Sequence, residues 1–213
     1  LNSKAYEIGE MLDADSRTLP VTHALKEWRV AVDALEQGET IVLLRKGGIR
    51  EAGGTFTIAH DRVWLYPTYE HQRSHLVKPK YADAMVSVAP GWHPETVRLG
   101  SWAHITDRVQ VSDTATVAAL LPFHIWTEAF VAERLKWKPS QPLEVLLLRV
   151  YTLPQPQLLP YDAAYGGCKS WLDLTQTIAR QLNLMQAFSE SLPVLGNVDY
   201  DVQREAMRAI VAR

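Results

Sequence analysis

The sequence predicts an α+β fold, a mixed or mostly antiparallel sheet with helices around it. Three observations carry that expectation. Leu143 to Tyr151 is apolar at nearly every position, as a strand covered on both faces must be. Val97 to Val111 alternates, with Val97, Leu99, Trp102, His104, Val109 and Val111 marking one long strand or a hairpin. Several other segments place apolar residues at helical spacing beside good caps.

Taken in order, residues 1–21 read as a lead-in, with one helical segment at Tyr6 to Leu12. Ala24 to Gln37 sets Leu25, Trp28, Val32 and Leu35 at helical spacing, and Gly38 suits the position just past a helix end. Val30-Ala31-Val32 leaves a strand as the alternative. Thr40 to Arg45 is a strand by its β-branched content. Gly47-Gly48 and Gly53-Gly54 mark turns. Phe56 to Ala59 and Val63 to Tyr66 read as strands around a His60-Asp61-Arg62 turn, giving a short meander. Pro67-Thr68 starts a helix or a turn, with Thr68 as cap.

Lys78 to Tyr81 and Pro90 to Pro94 punctuate a loop-rich middle. Ser112 or Asp113 caps a helix towards Leu121. Pro122 opens a second helix, with Ile125, Trp126, Ala129, Phe130 and Leu135 on its apolar face. Pro154, Pro156 and Pro160 make an extended connector. Trp171 to Phe188 and Asp199 to Arg213 are helical by pattern. The main domain is expected at 22–175, with a C-terminal helical extension at 176–213.

The 213 residues, 47% of them hydrophobic, can bury one sizeable core. A net charge of -2 argues against strong sequence-independent duplex binding, though not against a local basic groove. One cysteine, Cys168, excludes an internal disulfide and a cysteine-type zinc cluster. No apolar run approaches the roughly 20 residues of a membrane span. No secretory pattern opens the chain, so a cytoplasmic protein is expected. The first residue is Leu rather than Met, which leaves an upstream piece open.

The stretch from Leu43 to Gln72 carries the densest chemistry. Arg45-Lys46-Gly47-Gly48 puts two cations and exposed backbone amides after a buried strand, a combination that can hold a phosphate or carboxylate. It is neither a Walker loop nor a dinucleotide fingerprint. A solvated tight turn is the plain alternative. His60, Glu70 and His71 are candidate catalytic residues, an imidazole base with a carboxylate to orient it. They could also hold a metal, but their spacing matches no ligand signature, so neither metal nor cofactor is expected.

Tyr165-Gly166-Gly167-Cys168-Lys169-Ser170-Trp171 is the second unusual block. Lys169 and Ser170 are candidate ligand contacts. Cys168 as nucleophile would need His124 or His71 nearby, and a lone cysteine is more often a small buried hydrophobe. Trp28, Trp126 and Trp171 suit core packing, while Trp92 and Trp102 are better placed for base stacking. Arg149 interrupts the apolar strand and needs a partner, either Glu144, another acid or a ligand.

The chain resembles a bacterial family, common in cyanobacteria, known as domain of unknown function 1802. The resemblance rests on Ala24 to Trp28, Leu44 to Ile49, Leu65 to Gln72, Arg149-Val150-Tyr151 and Tyr165 to Trp171, and implies no established activity. A weaker resemblance, to the ASCH branch of the PUA-like fold, rests on a helix ending at Gly38, then Glu39-Thr40, then a strand ending at Arg45. It implies a partly closed, PUA-like sheet that binds RNA or modified nucleotides. Gly38 and Arg45 fall near that family's positions; the Lys and Glu of its usual pattern do not.

The expected function is binding of nucleic acid or a nucleotide-like anion at Arg45, Lys46, Thr68, Glu70, His71, Lys169 and Ser170. RNA, single-stranded DNA and a nucleotide are the expected partners, with no membrane involved. The alternatives are a nuclease or related phosphodiester hydrolase using His60, Glu70 and His71, and a protein-interaction module. The Arg45 strand end, the Pro67-Thr68 turn and the Gly166-Gly167 loop are expected to line one pocket.

Overall fold

The computed structural model describes residues 21–46, 58–89, 91–137, 139–180 and 182–212. The expected helix at Tyr6 to Leu12, the Gly47-Gly48 and Gly53-Gly54 turns, and Phe56-Thr57 lie outside these residues. Among the described residues, seven strands form one mixed sheet, curled into a half-barrel and flanked by helices. The strands are β1 (His23–Trp28), β2 (Val42–Arg45), β3 (Arg62–Thr68), β4 (Thr96–Val111), β5 (Leu143–Pro160), β6 (Trp171–Asp173) and β7 (Leu192–Pro193). Their order is β2-β5-β4-β3-β1-β6, with β7 beside β5. Among the described strands only β1 and β3 pair in parallel.

Period-two alternation explains how the sheet is buried. In β3, Val63 and Leu65 enter one apolar cluster, while Trp64 and Tyr66 enter another. Ala24 and Leu25 of β1 divide in the same way. In the first half of β5, Val145 and Leu147 on one side and Leu146 and Leu148 on the other are all buried. This strand was expected to be central, and it lies between β2 and β4.

The helices are α1 (Arg29–Glu36), α2 (Pro79–Ala82), α3 (Thr114–Leu120), α4 (Glu128–Lys136), α5 (Thr175–Arg180), α6 (Leu182–Ser189) and α7 (Asn197–Val211). As expected, Asp113 caps α3, its side chain accepting from the Thr116 amide. The last helix packs Tyr200 and Met207 into the first cluster. None of the described helices is long and apolar enough to cross a membrane.

Several expectations are corrected. Ala24 to Gln37 is not one helix, because His23–Trp28 is a strand held between β3 and β6. Pairing on both edges outweighs the helical spacing of Leu25 and Trp28, which a short apolar run can mimic. Trp171–Asp173 is strand as well, paired along one edge with β1, and helix begins only at Thr175. The first strand of the expected meander, Phe56 to Ala59, is described only from Ile58; among the described strands β2 pairs with β5, and β3 with β1 and β4. Ile58 to His60 carries no strand. The second helix starts at Glu128 rather than Pro122, because Thr127 caps it by accepting from the Phe130 amide. Strand β3 continues through Pro67, where it pairs only with β1, so the missing amide costs no ladder bond to β4.

Arg149 does not pair with Glu144, which Arg108 holds through two 2.7 Å bonds. It donates to the Gly196 carbonyl and to Asn197 Oδ1 at 3.2 and 2.6 Å, and lies over the Tyr200 ring. Its role is to seat the start of α7.

Gly38 does end α1, at φ +70°. A Cβ there would also approach Leu195 Cδ2 to 2.9 Å. Gly38→Ala is therefore expected to cost about 1–2 kcal/mol, measurable by urea unfolding. An unchanged midpoint would show that this turn tolerates a side chain.

Candidate functional site

The three segments expected to converge do so. The end of β2, the end of β3 and the Gly167 loop line one cleft of about 720 Å³, closed on its far side by α4. The parallel β1-β3 pair sets the geometry. Glu27 lies opposite Pro67 and Trp28 opposite Thr68, so the ends of both strands open together. Strand β3 leaves β4 after Trp64, which frees its last residues to face the cleft.

Arg45, Lys46, Thr68, Glu70, His71 and Lys169 all line this cleft. Ser170 does not line it. Its hydroxyl accepts from Arg45 Nη2 at 2.5 Å, so it supports the cleft from behind. Nor does His60, which stacks on His23 at 3.6 Å with Trp171 edge-on. Burial first, and then His23, lower the His60 pKa. Glu70 and His71 are thus in the cleft without the third member of the expected catalytic set. No group of three or more His, Cys, Asp or Glu arranged to hold a metal occurs among the described residues.

Cys168 is exposed at the cleft rim, not a buried hydrophobe. His124 is 2% exposed and does not line the cleft, so it is not a base partner for Cys168. Trp102 is core: it stacks on Tyr151 at 4.2 Å and donates to Ser191 Oγ. Trp28 and Trp126 do pack against the apolar cluster, yet both also line the cleft.

The cleft is built on polar groups that the sequence reading missed. Lys26 is nearly buried, and its Nζ donates to Glu70 Oε2, the Tyr165 carbonyl and the Gly167 carbonyl at 3.1, 3.0 and 2.9 Å. Gly167 turns at φ +74°, a conformation that suits glycine. Glu27 Oε2 accepts from Arg45 Nη1 at 2.8 Å, with side chains 7% and 15% exposed. His71 sits at φ +60°, the one described non-glycine residue with positive φ. Such a conformation is uncommon and tends to occur at functional positions.

Two cations stand out by how little holds them. Among the described residues Lys46 Nζ donates only a 3.3 Å bond to the Leu135 carbonyl, and burial, then Arg134, lowers its pKa. Arg134 lies over the Phe130 ring at 4.9 Å and makes no side-chain hydrogen bond to a described residue. Burial lowers its pKa too; Glu27 and Glu133 oppose that shift, while Arg45 and Arg73 add to it. An arginine keeps its charge in any case, so the direction measures a cation that its surroundings under-compensate.

Among the described residues, seven lysine and arginine side chains and three carboxylates line the cleft. The chain as a whole carries -2. Trp28, Trp126, Phe130 and Trp137 add an aromatic wall. Arg134 and Arg73 carried no sequence signal, being single cations on amphipathic or loop segments. Lys26-Glu27-Trp28 did carry one, as two charges inside an apolar run.

No curated protein matches the sequence. Among solved structures, the chain is similar to ASCH from Zymomonas mobilis, at 15% identity and a TM-score of 0.42, over 76% of this chain and 93% of that one. Two point mutants of that protein match at 14% identity, with TM-scores of 0.40 and 0.42 over 94% and 96% of their chains. The family model described as Domain of unknown function (DUF1802) matches residues 24–205, and the chain belongs to that family.

Proposed function

We propose that the cleft binds nucleic acid or a nucleotide-like anion, with phosphate held between Lys46 and Arg134. The observation that carries this reading is the local excess of positive charge in a protein of net negative charge, including one guanidinium with no hydrogen-bonding partner among the described residues. A half-buried cation left this way costs stability. A phosphate would supply charge-assisted hydrogen bonds to it. The aromatic wall suits a base or sugar beside the phosphate. A concave site of this size, apolar with convergent charges, also fits a ligand better than a flat protein interface.

Arg45 is a poor test residue, because it also holds Glu27, Ser170 and the Lys26 carbonyl. Arg134→Ala and Lys46→Met are better. Each is expected to weaken binding of single-stranded RNA, single-stranded DNA or a nucleotide by about 1–3 kcal/mol. Wild-type affinity should fall with salt in proportion to the phosphates engaged. Fluorescence titration at two salt concentrations reads both effects. Equal affinity in wild type and both variants, or no binding of any of these ligands, overturns the proposal.

The same titration, with the labelled strands run on a gel afterwards, bears on hydrolysis. Cleavage that disappears in Glu70→Gln and His71→Ala would make the site a phosphodiesterase.

A further inference from the structure

A small recess adjoins the cleft. Lys26, Thr68 and Glu70 line both, so the Lys26–Glu70 ion pair is a shared wall. The far side of the recess is aromatic. Trp92 stands there at 43% exposure, with Tyr69 edge-on at 5.6 Å and 89°. His93 stacks flat on Tyr161 at 3.7 Å and closes the end.

Nothing in the core explains an exposed tryptophan there. Tyr66 also lines the recess, and it is 3% exposed. Its hydroxyl is buried with no hydrogen-bond partner among the described residues. Buried polar groups are rarely left so. Burial and the nearby tyrosines and acids push its pKa up, so it remains a donor at any ordinary pH.

The dimensions decide what can enter. At about 20 Å³ the recess holds a water-sized group and not a ring. A base would therefore lie outside, against the open face of Trp92, with one exocyclic group or a bridging water reaching Tyr66. Stacking on an exposed ring accepts any base, whereas a contact to one hydroxyl distinguishes among them.

We infer that Trp92 is a stacking shelf for a base of a single strand whose phosphates lie in the neighbouring cleft, with the Tyr66 hydroxyl reading that base's edge. This rests on the proposed function and narrows it. A free phosphate compound would use the cleft alone, while a strand of several nucleotides would use both. A duplex would not, since its bases are already stacked.

The test uses fluorescein-labelled decamers of RNA and DNA, and matched decamers with abasic sites throughout. The abasic strands carry the same phosphates without bases. Trp92→Ala is expected to weaken decamer binding at least fivefold and to leave abasic binding unchanged. Tyr66→Phe is expected to level the differences among oligo(A), oligo(C) and oligo(U) without removing binding. Thermal melts of both variants should match wild type, and circular dichroism checks their folding.

If Trp92→Ala leaves decamer binding intact, or weakens decamer and abasic strand alike, the shelf is overturned and the cleft reading stands. If wild type binds the abasic strand as well as the decamer, the shelf is likewise overturned. If wild type binds neither, both readings fail together. RNA preferred over DNA in the wild type, and retained in Trp92→Ala, would assign the choice of sugar to the cleft.

Discussion

Acidification from pH 7 to pH 4 is expected to cost the folded state about 3 kcal/mol through His124 alone. The imidazole is buried, on the residue that directly follows the Leu121–Phe123 turn. Burial first, and then the Lys78 ammonium, lower its pKa to about 4. In the unfolded chain the same group titrates near the ordinary value of about 6.5. The unfolded state therefore binds a proton over a range where the folded state does not. The contribution of the neutral imidazole is fully present above about pH 6.5 and fades as the pH falls towards 4. Urea unfolding of wild type and His124→Leu at pH 7 and pH 4 measures it. The difference between the two pH values should shrink by about 3 kcal/mol in the variant. An equal acid loss in both proteins would mean that His124 is already charged or solvated in the fold.

The second large effect belongs to Glu27. Its carboxylate receives Arg45 at 2.8 Å and also the Trp28 amide. Arg134 lies near enough for Glu27 to favour its charge. Removing one partner of a nearly buried ion pair typically costs 3–5 kcal/mol, because the other charge stays in place. Glu27→Gln keeps the shape and should cost about 3 kcal/mol on that basis. The cleft would also become more positive. Anion affinity is expected to rise in Glu27→Gln while stability falls, which separates a structural residue from a binding one. Chemical denaturation and ligand titration of the same sample read the two together. A drop in both would show that Glu27 shapes the cleft rather than restrains its charge.

The elements readable in the sequence were those whose signal is local. The Asp113 cap, the Gly38 stop and the apolar run at Leu143 act through a few neighbouring residues, and all appear in the structure. His23–Trp28 and Trp171–Asp173 were misread because they are strands only by virtue of each other and of β3. No property of a six-residue or a three-residue run announces a partner nearly 150 residues away. The end of Leu143's strand shows the same limit. The proline-rich stretch to Pro160 looks like a connector, yet it pairs with Thr96 to Leu99.

The candidate site divides in the same way. Arg45, Lys46, Glu70, His71 and Lys169 were singled out because each is polar where a core needs nothing polar, and the structure brings them to one cleft. Arg134 and Arg73 were not, since a cation on a surface helix or loop is ordinary until something packs over it. Trp92 was noted as a stacking candidate, but its relation to Tyr66 depends on how two distant segments meet.

The hydrogen bonds that close the cleft reach far along the chain. Lys26 is bonded to Gly167, 141 residues later, and Arg45 to Ser170, 125 residues later. A ribosome adding 5–20 residues per second needs on the order of 10 to 30 s to supply those partners. Through that interval the nascent chain carries Lys26 and Arg45 with these two acceptors still unmade. The late arrival of Gly167 and Ser170 thus sets the earliest moment in synthesis at which Lys26 and Arg45 can complete these folded contacts and the walls of the cleft can close.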